Sequence, residues 1–172
     1  MKKADFDALY REHYPRVFGL CRRLLGDAAD AEDAAQEVFM RGYRAIRRYR
    51  SGDPFGPWIG AIASNYCVDL LRRRRRLAGV FLDGAAEVPE PVDPEEHGSA
   101  ALISAHDAGA IARAVEALPE HYRLPVVLAY YGDASYEDIA NTLDITANHV
   151  GVLLLRARKQ LRLSLADLDE EN

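Results

Sequence analysis

Residues 135–161 read SYEDIANTLDITANHVGVLLLRARKQL, and the stretch resolves into two short helices around a tight turn. Ser135 followed by Asp138 resembles a capping box. Thr146 is placed to cap a second helix, and Asp144-Ile145-Thr146 supplies the short connection that a helix-turn-helix requires. Placing residues about 100° apart around the second helix gathers Val150, Leu154, Ala157 and Leu161 on one face, with Leu153 at its margin. Asn148, Val152, Leu155 and Lys159 fall on the opposite face, flanked by His149 and Arg156. That face is polar at its N-terminal end, apolar in the middle and cationic from Arg156 onward.

The first residues of such a helix are the ones that reach base edges, so Thr146, Asn148 and His149 are candidates for base or phosphate contact, with Val152 or Leu155 against thymine methyls. Arg156, Arg158, Lys159 and Arg162 suit the phosphate backbone, each contact weakening with salt through counterion release. Gly151 costs about 1 kcal/mol of helix propensity relative to Ala, but its missing side chain admits a close phosphate or partner backbone. Two other readings stand beside this one: Val152 and Leu155 are buried by another segment of the chain, or they meet a protein partner.

Working outward, residues 77–104 contain three prolines, three glycines and no helical period in their middle, the composition of a linker. Charge changes there too. Residues 1–80 carry 16 Lys and Arg against 10 acids, residues 81–112 carry seven acids and no Lys or Arg, and the last seven residues add four acids. The overall charge of -5 therefore hides a basic first half able to present a local cationic surface to nucleic acid. The expected organisation is a helical domain over 1–80, a flexible acidic linker over 81–105, a helix-turn-helix domain over 106–165 and an acidic tail over 166–172. The fold class is all-α, two small helical domains, since neither half shows alternating β-branched runs bounded by hairpin turns.

In the first domain the pattern predicts helices at about 4–25, 30–50 and 57–76, and in the second at about 106–117, 119–131, 136–143 and 147–163. Asp30 is placed to cap the second helix, with Glu32 and Asp33 near the positive end of its dipole. Ala31, Ala35, Val38, Phe39, Gly42 and Ile46 form its core side, whereas Asp33, Gln36, Glu37, Met40 and Arg44 face away. That outer face either docks a basic protein partner or is a capped, solvated helix end.

On the third helix Trp58, Asn65, Asp69, Arg72 and Arg76 project within a narrow sector, beside a core side of Ile59, Ile62, Ala63, Tyr66 and Leu70. Five consecutive arginines, Arg72 to Arg76, end the helix. An aromatic ring, an amide and guanidinium groups on one face suit an unstacked nucleic-acid strand: rings stack bases and arginines hold phosphates. Phe55, in the loop ahead of the helix, adds a ring on a constrained turn. The alternative is a core Trp58 with a solubilising arginine end.

Other functions find little support. No Ser/His/Asp constellation, metal-ligand spacing or phosphate-cradling glycine loop occurs, so neither catalysis, metal nor cofactor is expected. Cys21 and Cys67 lack zinc-site spacing and are expected to be buried as small hydrophobes. No apolar run approaches the length of about 20 residues that spans a bilayer, and MKKADFDALYREHY lacks the apolar segment of a signal peptide. A cytoplasmic protein without membrane insertion is expected.

Three segments in order carry a family resemblance. DAEDAAQEVFMRGYRAI resembles the core-polymerase-binding helix of small sigma factors of bacterial RNA polymerase, the extracytoplasmic function (ECF) group of the sigma-70 family. PFGPWIGAIASNYCVDLLRRRRR is similar to the adjoining segment that melts promoters and reads the minus-ten element, and residues 117–161 to the region that reads the minus-thirty-five element. The resemblance implies a transcription initiation factor. Asp30, Glu32, Asp33, Gln36, Glu37 and Phe39 would then bind core RNA polymerase, made of beta and beta-prime among its subunits. Phe55, Trp58, Asn65, Arg72, Arg73 and Arg76 would capture the non-template strand of promoter DNA, and Thr146, Asn148, His149, Val152, Arg156, Arg158 and Lys159 would engage the duplex upstream. It also implies an anti-sigma factor as inhibitor. One departure stands out: after Val150, where the family commonly has a Lys-Ser-Arg-like trio, this chain has Gly151, Val152 and Leu153. That implies weak minus-thirty-five readout, with specificity in the first domain or with an upstream activator. Without the resemblance, a regulator that binds duplex DNA alone and a helical interaction protein remain as alternatives.

Overall fold

The computed structural model describes residues 3–50, 52–79 and 108–170, and all regular structure among them is helical. The helices are α1 Lys3–Leu25, α2 Ala28–Ala45 with a single 3₁₀ turn Ile46–Arg48 after it, α3 Phe55–Leu77, α4 Ala108–Ala117, α5 Glu120–Tyr130, α6 Tyr136–Leu143 and α7 Ala147–Glu170. Two compact units result: α1–α3 together with Tyr130–Ala134, and the remaining helices. The linker expected over 81–105 lies outside the described residues. The tail expected from 166 is instead helical as far as Glu170, a continuation of α7.

In the first unit each helix packs on the other two. Gly26, with φ 81°, ends α1 by returning its N–H to the Arg22 carbonyl, a left-handed exit that only glycine adopts without cost. The next residue caps α2: the Asp27 side chain accepts the N–H of Asp30 at 2.9 Å. Asp30 therefore sits inside the first turn rather than at the cap where sequence placed it, because Asp27 directly after the glycine offers an equivalent oxygen one turn earlier. Ala31, Ala34 and Ala35 are buried and small, which lets α2 lie close on its neighbours. Close approach recurs at Gly42, where an added Cβ would stand 2.7 Å from Ile59 Cδ1.

The core side expected for α2 is buried from Ala31 through Gly42, with Ala34 added and Ile46 only partly covered. On α3 the buried stripe is Ile59, Gly60, Ala63, Ser64, Cys67, Val68 and Leu71, rotated from the expected side so that Ile62, Tyr66 and Leu70 are half-exposed. Small and polar residues such as Gly60 and Ser64 turn inward because two helices close on this face, and the Ser64 hydroxyl satisfies itself on the Gly60 carbonyl at 2.9 Å. Cys21 and Cys67 are both buried, and hydrogen bonding to Cys21 together with burial pushes the Cys67 thiol up. They behave as packing groups.

The second unit is organised by α7, which packs on α6 and on α4. The capping box forms as the sequence predicts: the Ser135 side chain accepts from Asp138 N, and the Asp138 carboxylate accepts from Ser135 N at 3.1 Å. Asp144 closes α6 in the left-handed region at φ 58°, ψ 48°, and Ile145 N–H returns to the Ala140 carbonyl. Val150, Leu154, Ala157, Leu161 and Leu165 are buried along α7.

Candidate nucleic-acid and partner interfaces

Three surfaces follow from these helices. On α2, Glu32, Asp33 and Gln36 are exposed, as the wheel requires. Glu37 is partly covered and accepts a 2.8 Å hydrogen bond from Arg41 Nε, whose guanidinium in turn lies 4.5 Å above the Tyr66 ring. Asp30 takes a different partner, the Arg74 guanidinium of α3 at 2.7 Å. That hydrogen bond holds the Asp30 carboxyl below the ordinary carboxylate range.

Phe39 is a correction to the expected docking set. Its side chain is 3% exposed, packed edge-on to Tyr10 at 4.7 Å between ring centroids and near Phe6 and Tyr14. The same position that the family resemblance assigned to a partner is, by its period, part of the core stripe, and the period wins. What the surface does offer is a groove of about 460 Å³ between α1 and α2, lined by Phe6, Asp7, Tyr10, Gln36, Phe39, Met40, Tyr43 and Arg44. Met40 and Tyr43 stand half-exposed on its rim, at 50% and 52%. Tyr43 escaped sequence reasoning, although an aromatic ring three residues beyond an outward Met was the available signal.

On α3, Phe55 is likewise corrected. It is the first helical residue rather than a loop residue, is 5% exposed, and packs against Phe6, His13, Tyr49 and Trp58 at centroid distances of 5.2 to 6.2 Å. A ring in the first turn faces back over the helix start, and here that direction is the core. Trp58 is half-buried, 5.2 Å from the Tyr49 ring and above the space left by Gly42. Tyr49, unremarked in the sequence, buttresses this tryptophan and ties down the loop by donating its hydroxyl to the Asp53 carbonyl. Asn65, Arg73 and Arg76 are exposed. Arg72 is half-exposed and meets Asp69 at 3.4 Å. Burial and the neighbouring Arg72 lower the pKa of Arg75, so the run is not five equivalent cations.

On α7 the cap forms as expected, His149 N donating to Thr146 Oγ1 at 3.2 Å, and Asn148, Arg156 and Lys159 are exposed with His149 half-covered. Val152 and Arg158 are not on the open face: they are 4% and 7% exposed. Arg158 lies four residues after Leu154 and three before Leu161, so its stem continues the buried stripe. α7 is packed by α4 as well as by α6, so a wheel that assumes one covered side does not decide which of its residues are buried. Gly151 faces Tyr136, 3.6 Å from where its Cβ would be, an ordinary contact distance, so the packing of the two helices does not require glycine there.

Taken together, these features define a two-unit all-helical protein with a helix-turn-helix in its second unit and an exposed cationic helix end in its first. Comparison with known proteins narrows the class: residues 9–77 match sigma-70 region 2 and residues 108–161 match sigma-70 region 4. The chain is 34% identical over 168 residues to the ECF RNA polymerase sigma factor SigE of Mycolicibacterium smegmatis, covering 97% of this chain and 64% of that one. It is 30% identical to the ECF RNA polymerase sigma factor SigW of Bacillus subtilis, covering 98% and 94%. The sigma factor RpoE of Bartonella quintana, solved in complex with the anti-sigma factor NepR, shares the fold with a TM-score of 0.63 at 23% identity, over 94% of this chain and 97% of that one. The chain belongs to the sigma-70 family of RNA polymerase sigma factors, in the ECF group. Among the described residues no cluster of three or more His, Cys, Asp or Glu could hold a metal, and no helix is long and apolar enough to cross a membrane.

Proposed function

We propose that this chain is a non-catalytic transcription initiation factor that docks core RNA polymerase through the outer face of α2 and opens promoter DNA through the outer face of α3. The observation that carries the reading is the pairing of these faces on one packed unit. Glu32, Asp33, Gln36 and the Met40–Tyr43 groove rim lie on α2, while Trp58, Asn65, Arg72, Arg73 and Arg76 lie on α3. A partner held on the first surface places its DNA against the second. No bond-making residue is needed for melting: stacking of an extruded base on an aromatic ring, worth about 1–3 kcal/mol, offsets an unstacking cost of a few kcal/mol. In the second unit Thr146, Asn148 and His149 meet the upstream duplex, with Arg156 and Lys159 on its phosphates.

The family and the fold neighbour bound to NepR support two further parts of the reading: an anti-sigma factor covers one or both faces when the chain is idle, and the chain works in the cytoplasm, where its polymerase is. The test is a pull-down with purified core polymerase followed by transcription from supercoiled genomic fragments. Wild type binds core and yields discrete start sites; Asp33→Ala with Met40→Ala weakens capture, and a thermal midpoint that keeps the unit folded at the assay temperature separates lost contact from lost fold, since Asp33 is exposed and Met40 half-exposed. Failure of the wild-type chain to bind core would replace this reading with a regulator acting on duplex DNA alone.

A further inference from the structure

The Asp30–Arg74 ion pair has a consequence for the arginine run that neither family membership nor the helical pattern assigns. Around α3, Arg74 lies about 160° from Arg76 and 160° from Arg72 the other way, at 100° per residue. It stands seven residues after the buried Cys67, so it prolongs the core stripe past the point where the core ends. Beyond Leu71 no apolar residue of α3 is buried, and Leu77 is 89% exposed. The last two turns, which carry all five arginines, thus project past the hydrophobic contact. Arg74 Nη1 on Asp30 Oδ2, 2.7 Å across and 44 residues apart in sequence, ties this end to α2. The same seam holds at two other levels, Arg41 over the Tyr66 ring and Gly42 against Ile59.

We propose that Asp30 is a positioning residue for promoter opening: by holding Arg74 against α2 it fixes the end of α3 so that Arg72, Arg73 and Arg76 face the DNA strand. Its carboxylate is consequently directed within the unit, although it belongs to the acidic segment assigned to polymerase docking. The pair also splits the run by role, with Arg74 as an anchor and the exposed Arg73 and Arg76 as phosphate contacts. This inference rests on the reading of α3 as the DNA-opening face.

The test uses holoenzyme assembled from the full chain, with three readouts: core affinity, permanganate reactivity of melted promoter thymines, and the thermal midpoint of the isolated chain. Wild type must give melted thymines; if it does not, the proposed function fails before the clasp is tested. With wild type active, Asp30→Asn is expected to lower open-complex yield about threefold to tenfold while core affinity stays within about twofold, as suits a partly exposed charged hydrogen bond. The exchange Asp30→Arg with Arg74→Asp restores most of the yield, which a direct polymerase contact by Asp30 would not permit. Three results overturn the proposal: open complexes unchanged in Asp30→Asn, core affinity lost and not recovered in the exchange variant, or a gain in DNA binding, which would make Asp30 a competitor for Arg74. Should Asp30→Asn lower the thermal midpoint enough to unfold the unit, Arg74→Lys, which keeps the charge and loses the fork, must show the same split between melting and core affinity.

Discussion

Asp144 shows how single residues set the geometry of the reading helix. It holds φ 58° where α6 ends, and an L-residue there costs about 1–2 kcal/mol relative to the right-handed region, less for Asp than for most. Glycine removes that cost but adds unfolded-state entropy, so Asp144→Gly is expected to stabilise the chain by about 0.5 kcal/mol, and Asp144→Val to destabilise it by about 1 kcal/mol or more, read by thermal or urea unfolding. Asp30 makes the electrostatic counterpart. Its folded pKa is depressed by the Arg74 hydrogen bond, so the stabilisation is present above the ordinary carboxylate range and is lost as pH falls through it toward the folded value. The difference in thermal midpoint between wild type and Asp30→Asn should accordingly be largest near neutrality and vanish in acid; a difference that grows on acidification would contradict the pairing.

Among the elements, α2 and α3 each bury a stripe that includes small residues, Ala31, Ala34 and Ala35 on one and Gly60, Ala63 and Ser64 on the other. The α2 stripe was legible from period alone, as were the Ser135 box and the Thr146 cap, because each rests on residues within one or two turns. The α3 stripe was not fully legible. Its inward residues include Gly60, Ser64 and Cys67, which an apolar wheel underweights, and the half-exposed Ile62, Tyr66 and Leu70 drew the predicted face round. A measurable consequence concerns the outward arginines. Replacing Arg73 and Arg76 by Ala together should weaken binding of the chain's holoenzyme to single-stranded promoter DNA and reduce the slope of log K against log salt by about 1.4, at about 0.7 per released phosphate contact. An unchanged slope would place the DNA elsewhere.

For the molecule as a whole, the two units divide recognition unequally. The first carries the candidate docking face on α2, a buttressed tryptophan and a cationic helix end; the second keeps Thr146, Asn148, His149, Arg156 and Lys159 at its surface after Val152 and Arg158 turn inward. With Val152 and Arg158 buried, we propose that promoter choice leans on the melted region. Substituting Asn148 and His149 together by Ala should lower output from a cognate promoter, yet cause no further loss on a template whose upstream element has been scrambled, as measured by multi-round transcription. An additional loss on the scrambled template would show that these residues serve something other than upstream readout.

The helices among the described residues, the Ser135 box and the Thr146 cap were written in the chain because helix period, capping oxygens and turn residues act over a few neighbours, whereas the cap of α2 fell to Asp27 and not to Asp30. The exposure of most candidate docking and DNA residues followed, since outward residues on a correctly placed helix are outward by geometry. Phe55, Phe39, Val152 and Arg158 were different, because burial depends on which other helix arrives, and a wheel drawn for one helix holds no such information. The pairing of Asp30 with Arg74 lies furthest from local reading. Its two partners are distant in sequence and each looked like a surface charge, and only the antiparallel packing of α2 on α3 brings them within 2.7 Å.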